Sequence, residues 1–175
     1  MYICAGDIEQ FDFAIPVGIG LINVAINLTQ LYIEKQPKEI IFVGTAGSYG
    51  KKKIFDIVES CSATQIENSF FTNNSYTPIE SKVSVNKDNV SHETVVNSSN
   101  YITTDIELSK EYLTHGIEIE NMEFFAVLQV AKKFGIRAKG IFVITNYCDK
   151  NAHRDFLDNR LKAMEMLEER ALQKL

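Results

Sequence analysis

Three small-residue segments could hold a ligand close to exposed backbone groups. They are Gly18-Ile19-Gly20, Gly44-Thr45-Ala46-Gly47-Ser48 and Thr145-Asn146-Tyr147, and each follows an apolar segment. Small side chains leave N–H and C=O groups open to the face or edge of a flat ligand. The segment from Gly44 lacks the lysine of a phosphate-binding P-loop, which argues against a nucleoside triphosphate. Gly18-Ile19-Gly20 is equally compatible with a tight turn between a strand and a helix.

Glu123 is the most informative single residue. It stands between Met122 and Phe124, at the start of a segment with helical apolar spacing. Acidic residues favour helix N-termini, so a purely structural role at the helix dipole is one interpretation. The apolar neighbours instead predict a buried carboxylate, which is costly unless it has a partner. The paired hydroxyls of a sugar would be a suitable partner.

The elements that must position these residues alternate between strands and helices. Strands are predicted at 2–5, 11–17, 39–43, 117–119 and 138–145, and helices at 21–35, after 121 and from about 154. The residues from Gly44 to Ser48 are predicted to form a loop. Asn121 can cap the second helix, and Gly135 can end it in a left-handed conformation. Strands alternating with helices predict one domain with a mainly parallel, covered sheet.

The middle of the chain and the last helix have different patterns. Residues 65–100 are rich in Asn, Ser and Thr, which predicts short strands near 56–63, 82–85 and 94–98 joined by polar loops. Residues 68–77 fit either a turn or a disordered insertion. The last helix has an apolar stripe made of Leu157, Leu161, Met164, Leu167 and Ala171. In an open parallel sheet, ligands collect at the carboxyl ends of the strands, where the three small-residue segments lie.

Composition narrows the function classes. The 175 residues carry a net charge of -5, which gives no general attraction to nucleic acid or to an anionic membrane. Three widely spaced cysteines and three separated histidines predict neither a disulfide framework nor a metal site. No basic and apolar leader opens the chain, and no apolar run has the length of a membrane span. A cytoplasmic protein is therefore predicted.

Four segments in order resemble those of one enzyme family. Pro16 to Gly20, a helix, Pro37 and Gly44 to Gly47 resemble the core of 5'-methylthioadenosine/S-adenosylhomocysteine nucleosidases and their phosphorylase relatives. Asp56-Ile57-Val58 resembles the next strand, with Phe55 in place of its usual glycine. Asn121-Met122-Glu123 resembles the Glu-Met-Glu motif. Val143 to Asn146, with Asp149 and His153 beyond, resembles the segment that holds the base-contacting acid.

The chain thus resembles a short, divergent member of the nucleoside phosphorylase and nucleosidase family. The resemblance implies a single-domain three-layer α/β/α fold over residues 1–175, with a mixed, mainly parallel central sheet. It also implies three groups of site residues: a ribose-binding pair, Met122 and Glu123; base-binding residues, Ala46, Gly47, Tyr101 and Asn146; and residues near the nucleophile or phosphate, Gly18, Gly20 and Thr45. Asn146 would face the purine N7, and Asp149 is an alternative proton donor. Tyr101 fits equally well as a packing residue.

The implied activity is cleavage of the N-glycosidic bond of purine nucleosides. Asn146 stands where the nucleosidases have an aspartic acid, and the phosphorylases specific for 6-oxopurines also carry asparagine there, which favours hypoxanthine or guanine nucleosides. Phe42 stands where phosphorylases hold phosphate with arginine, which favours water as the nucleophile. Glu9, or else Asp7, would then activate the water. The 6-oxopurine resemblance favours phosphate instead, so phosphate stays open as a co-substrate.

No other cofactor is expected. The expected partner is a purine nucleoside, and family relatives imply a homo-oligomer. Two alternatives are also compatible with the sequence. A non-catalytic protein that binds purine nucleosides would tolerate both Asn146 and the missing arginine. An unrelated flavodoxin-like domain is the second alternative, although no phosphate-binding loop with the expected Ser/Thr pattern is present.

Overall fold

A computed structural model of the protein describes residues 1–85 and 93–173. Within these ranges, nine strands and four α-helices follow one another as β1 Tyr2–Cys4, β2 Ile15–Pro16, α1 Leu21–Lys35, β3 Glu39–Ser48, β4 Ile57–Ser60, β5 Ser62–Thr64, β6 Lys82–Ser84, β7 Val95–Ser98, α2 Ile106–Thr114, β8 Ile117–Asn121, α3 Phe124–Phe134, β9 Arg137–Tyr147 and α4 Ala152–Leu172.

The strands form one mixed sheet with β3 at its centre. One edge of β3 pairs in parallel with the whole of β9. The other edge pairs first with β1, in parallel, and then with β8, in the antiparallel sense. Five of the eight pairings between described strands are parallel, which confirms the predicted mixed and mainly parallel sheet.

Helices cover both faces of the sheet because β3 and β9 are apolar on both sides. Ile40 and Phe42 point to the face that carries α1 and α3. Ile41 and Val43 point to the opposite face, which α4 covers through Leu167. Alternate residues of a strand face opposite sides of the sheet, so a continuous apolar run requires cover on both. The predicted α/β/α layering is confirmed.

The predicted ends of two helices are also confirmed. Helix α1 covers Leu21–Lys35, and Gln36 follows it with a left-handed φ of 44°. Helix α3 ends at Gly135, whose φ is 66°. The predicted cap is confirmed in part: Asn121 Oδ1 accepts hydrogen bonds from the backbone N–H groups of Glu123 and Phe124 at 2.7 and 2.8 Å, but the N-cap residue itself is Glu123.

Two sequence predictions about strands are wrong. Gly44 to Ser48 form the second half of β3 instead of a loop, because they pair with residues 142–147 of β9. The predicted strand 11–17 is reduced to Ile15–Pro16, since Phe11 opens a turn in which its carbonyl accepts from Ala14 N.

The remaining differences concern helices. Helix α2 is not predicted from the sequence, and its Tyr112 stacks on Tyr49 at 4.3 Å between ring centroids. Residues 68–77 begin with a short 3₁₀ helix, Asn68–Phe70. The apolar stripe of α4 is only partly buried, since Leu157 and Leu161 are 45% and 65% exposed. Among residues 1–85 and 93–173, no helix has the length and apolar character needed to cross a membrane.

Candidate active site

A cavity of about 240 Å³ opens where β3, β8 and β9 end. Seven of the ten predicted site residues line it: Thr45, Ala46, Gly47, Tyr101, Met122, Glu123 and Asn146. The chain therefore gathers, around one volume, residues that are up to about a hundred positions apart in sequence. Tyr101 lies at the mouth and is 83% exposed.

The other three predicted residues lie outside the cavity lining. Gly20 is directly behind it, because its N–H donates to Glu123 Oε1 at 3.0 Å. Gly18 N donates to the carbonyl of Ala5 at 2.9 Å, and both glycines have positive φ angles. The Oδ1 of Asp149 accepts from the backbone of Asn151 at 2.7 Å, within the turn that leads into α4.

Glu123 is buried, with 3% of its surface exposed. Its Oε1 accepts from Gly20 N, and its Oε2 accepts from Asn121 Nδ2 at 2.7 Å. Glu123 immediately precedes the first residue of α3 and still lines the cavity. Burial raises the pKa of Glu123 to about 7, against the hydrogen bonds from the Gly20 backbone and Asn121, and the nearby Glu9 carboxylate raises it further. The carboxyl can therefore exist in either protonation state near neutral pH.

A second carboxyl group, that of Glu9, faces the same cavity. Its Oε1 accepts from the backbone N–H of Thr45 at 3.2 Å and forms a short hydrogen bond with Thr45 Oγ1. Burial raises the pKa of Glu9, while the bonds from Thr45 and the positive charge of Arg160 act in the opposite direction. Asp7, the alternative to Glu9, also lines the cavity but is exposed.

Gly47 occupies the centre of the cavity floor. It pairs with Glu120 of β8 on one side and with Asn146 of β9 on the other. A register shift between Ala46 and Gly47 skips Thr145, so that Asn146 pairs directly with Gly47. Such a bulge re-aims a side chain, and here it turns Asn146 toward the cavity. The Asn146 amide donates to Tyr147 O at 3.1 Å and accepts from Thr145 Oγ1 at 2.9 Å.

Sequence reasoning missed Glu120, which also lines the cavity. Its Oε1 accepts from Thr103 N at 2.9 Å and its Oε2 from the Tyr49 hydroxyl at 2.8 Å. Burial raises the pKa of this carboxyl. The sequence carries no specific signal for it, because Glu118 and Glu120 alternate with Ile117 and Ile119 as solvent-facing residues of a strand would. His153 and Phe156 of α4 complete the wall beside the mouth.

The solved structures that this chain resembles include nucleosidases. One is the Helicobacter pylori 5'-methylthioadenosine/S-adenosylhomocysteine nucleosidase with butyl-thio-DADMe-Immucillin-A, with a TM-score of 0.80, 16% identity, and coverage of 99% of this chain and 97% of that chain. Another is the Helicobacter pylori futalosine hydrolase, with a TM-score of 0.79, 16% identity and coverage of 95% and 92%. This chain has the nucleoside phosphorylase and nucleosidase fold.

A third similar structure is a mutant. It is an aspartate-to-asparagine variant of the Helicobacter pylori nucleosidase with 5'-methylthioadenosine in its active site, with a TM-score of 0.75, 19% identity, and coverage of 91% of this chain and 79% of that chain. No protein-family model matches the chain, and no curated protein matches it in sequence. The sequence identity to these solved structures is low, so the comparison shows only that the chain has the nucleosidase fold.

One residue that differs from the family pattern has a strained backbone conformation. Phe55, which stands where the resemblance places a glycine, has a left-handed φ of 70°. That conformation costs a residue with a Cβ roughly 1–2 kcal/mol. The Phe55 ring packs beside the α4 face of the core, with Lys162 Nζ at 4.2 Å from its centroid.

Among the residues that the structure describes, no cluster of three or more His, Cys, Asp or Glu is arranged to hold a metal ion.

Proposed function

We propose that the protein hydrolyses the N-glycosidic bond of purine nucleosides. The observation that carries the proposal is that the buried carboxyl group of Glu123 and the partly buried one of Glu9 converge on one cavity at the carboxyl ends of the central strands. Breaking a glycosidic bond builds positive charge on the sugar, as in an oxocarbenium ion. Carboxylates held beside that charge stabilise the transition state more than the neutral ground state.

Glu123 is suited to the ribose. The Gly20 N–H and Asn121 hold its carboxylate in one orientation before any ligand arrives. Carboxylate oxygens have several lone pairs, so each oxygen can accept another hydrogen bond from a ribose hydroxyl. Met122, which also lines the cavity, supplies an apolar contact for the sugar.

Water is favoured over phosphate as the nucleophile. Within residues 1–85 and 93–173, no lysine or arginine lines the cavity, whereas Asp7, Glu9, Glu120 and Glu123 all do. A phosphate dianion would meet like charges without the bidentate arginine that usually holds it. Water has no such penalty, and Glu9 beside Thr45 can accept its proton.

The base fits the other end of the cavity. Ala46 and Gly47 offer a floor with almost no side chain, and Asn146 offers an amide at its edge. Tyr101 at the mouth has a free aromatic face for stacking. An amide both donates and accepts, which suits the N7 and carbonyl edge of a 6-oxopurine. Inosine and guanosine are therefore the proposed substrates.

Base release from four nucleosides tests this function. The protein is incubated with inosine, guanosine, adenosine and methylthioadenosine, each with and without phosphate, and free base is measured by chromatography. We expect release from inosine and guanosine in buffer without phosphate. Release that requires phosphate would establish phosphorolysis and refute the hydrolytic mechanism.

Two variants assign that activity to the cavity. Glu123→Ala should lower kcat/KM by at least about 100-fold, by analogy with the loss of one electrostatic contact to a transition state. The matched control is Glu107→Ala, which removes an exposed carboxylate of α2 that does not line the cavity. Full activity in Glu123→Ala would remove the sugar contact from the mechanism.

A second candidate function is binding without turnover. Asn146 favours it, because an amide cannot give a proton to the departing base. The asparagine variant of the Helicobacter pylori nucleosidase holds 5'-methylthioadenosine in its active site. Calorimetric binding of inosine with no release of hypoxanthine over hours would support this candidate.

A homo-oligomer is also proposed. Apolar side chains surround the mouth of the cavity and are exposed: Ile8, Ile19, Tyr101 and Ile102. Exposed apolar groups that border a ligand site suit contact with a second copy of the chain. Light scattering coupled to size-exclusion chromatography tests this proposal, and a monomeric mass at working concentration would refute it.

A further inference from the structure

Departure of a purine is faster when a group donates a proton to it, and the Asn146 amide has no such proton. When the bond between C1' and N9 breaks, its electron pair moves into the purine ring, and protonation at N7 stabilises the departing base. Asp149, the alternative donor suggested by sequence, lies outside the cavity and accepts from the backbone of Asn151. Any assignment of the group that supplies this proton rests on the proposed function.

The register of the sheet places one carboxyl group opposite Asn146. Gly47 pairs with Glu120 and Asn146 on its two sides, and directly paired residues point to the same face of a sheet. A Cβ built on Gly47 would lie 2.9 Å from Cys148 Sγ, 3.0 Å from Asn146 Nδ2 and 3.4 Å from Glu120 Cγ. The absence of a side chain therefore lets these three groups converge beside Gly47, at a place here called the Gly47 notch, with the amide on one side and the carboxyl on the other.

The acidic groups of the cavity separate into two ends. Glu9 binds Thr45, and Asn121, which holds Glu123, also approaches the Thr45 carbonyl at 3.4 Å. Glu120 instead pairs with Gly47. Gly47 lies two residues beyond Thr45 in β3, a distance of about 6.6 Å along a strand. Glu9 and Glu123 are thus placed for the sugar, and Glu120 is placed for the base.

The surroundings of Glu120 keep it in place and raise its pKa, because burial outweighs the hydrogen bonds from Thr103, Tyr49 and Cys148. It is 8% exposed, and the groups packed against it are the hydroxyl of Tyr49, the thiol of Cys148 and, beyond them, Tyr112. These groups are uncharged at neutral pH, because burial raises the pKa of Tyr49 and of Cys148 well above their usual ranges. A carboxylic acid can accept from Tyr49 and Thr103 and still donate its own O–H into the notch.

We propose that Glu120 is the general acid of the reaction, giving its carboxyl proton to N7 of a purine whose edge lies in the Gly47 notch between Glu120 and Asn146. As the proton moves, the bond between C1' and N9 breaks and its electrons pass to the base. The water oxygen bonds to C1' and Glu9 accepts the water proton. The base leaves neutral, Glu120 is left as carboxylate, and exchange with solvent returns the proton from Glu9 to Glu120.

A substrate that needs no proton separates this role from a structural one. The N7 of 7-methylinosine is methylated and already positively charged, so its base leaves as a neutral molecule without protonation. Wild type and Glu120→Gln are compared on inosine and 7-methylinosine. For Glu120→Gln we expect base release from inosine to fall by about 100-fold or more, the usual contribution of a general acid, and release from 7-methylinosine to fall much less.

A second variant distinguishes the loss of a proton donor from a folding defect. Asn146→Asp returns a proton donor to the notch, so the double variant Glu120→Gln with Asn146→Asp should recover inosine cleavage over Glu120→Gln. Equal losses on both substrates, or undiminished inosine cleavage in Glu120→Gln, would overturn the role of Glu120 while the hydrolase function stands. Cleavage of neither substrate by wild type would instead refute the proposed function, and the general acid with it.

Discussion

The buried carboxyl of Glu123 makes the stability of the protein depend on pH in a specific direction. Its pKa is about 7 in the folded protein, against 4.5 for an unperturbed glutamate. As the pH rises, the unfolded chain releases this proton before the folded protein does. The free energy of unfolding therefore falls as the pH rises from about 4.5 through about 7, and the stability contributed by the protonated form is complete only below that interval.

The size of the effect follows from the two pKa values. The difference between a pKa of 4.5 and one of about 7 corresponds to roughly 3 kcal/mol over the whole titration. Between about pH 5 and about pH 8 the linkage relation gives a loss of roughly 2–3 kcal/mol. For a chain of this length each kcal/mol moves Tm by about 2–4 °C, so the loss corresponds to roughly 5–10 °C.

The assay compares wild type with Glu123→Gln by urea denaturation at both pH values. Glutamine does not titrate, so the difference in unfolding free energy between the two proteins should change by roughly 2–3 kcal/mol from low to high pH, in favour of the variant. Any constant cost of the amide, including the lost acceptor for Asn121 Nδ2, cancels in this comparison. Glu9 and Glu120, whose pKa values burial also raises, are present in both proteins.

Parallel pH profiles for the two proteins would refute the reasoning. Glu165→Gln, an exposed site on α4, serves as the matched control and should follow wild type at every pH. A change in the opposite direction, with the variant losing stability as the pH rises, would mean that the folded protein favours the ionised form of Glu123. The proposed contact between Glu123 and the ribose hydroxyls would then need an explanation other than a raised pKa.

Three further substitutions have defined outcomes. Gly47→Ala should abolish inosine binding by calorimetry and cost about 1–3 kcal/mol in denaturation, because its Cβ would lie 2.9 Å from Cys148 Sγ and 3.0 Å from Asn146 Nδ2; unchanged affinity would rule out the notch. Asn121→Ala should destabilise the fold by about 1–2 kcal/mol, since a helix cap is lost, and should raise KM by freeing Glu123; a stability equal to wild type would contradict the capping role. Glu9→Gln should lower kcat by about 100-fold while Tm is retained or raised, and loss of the acidic limb of the residual pH–rate profile identifies Glu9 as the base.

The sequence predicted those elements whose signals are local. Helix α1 has a regular apolar face and a proline just beyond it, and α3 has Asn121 at its start and Gly135 at its end. These signals depend only on residues that are close in sequence, and the structure confirms the helix ends that they predict. The gathering of Glu123, Thr45 and Asn146 around one cavity was predicted from strand order and family resemblance together.

Features decided by pairing between distant segments were not predicted. Gly44 to Ser48 have turn-forming composition, yet they remain extended because β9 and β8 satisfy their backbone groups. The bulge that skips Thr145 decides which side of the sheet Asn146 faces, and it has no local signature. Glu120 was missed for the same reason, since its alignment with Gly47 is a property of the antiparallel pairing of β3 and β8.

Helix α2 illustrates a different limit. Its nine residues have a low mean hydropathy, and their apolar members do not form a continuous stripe. Asp105 caps it by accepting from the backbone of Glu107 and Leu108, and Tyr112 anchors it in a small aromatic cluster. That cluster depends on Tyr49 and Phe71, which lie far away in sequence, so the decisive contact is tertiary.

The nearness of two acids at the sugar end has a consequence for drug-like ligands. Near neutral pH the Glu123 carboxyl is half protonated, so a positively charged ribose mimic must displace a proton in order to enter. Its affinity should strengthen as the solution becomes more alkaline up to about pH 7, and the heat of binding should vary with the ionisation enthalpy of the buffer. Hydrogen ions and cationic inhibitors thus compete for the same position in this protein.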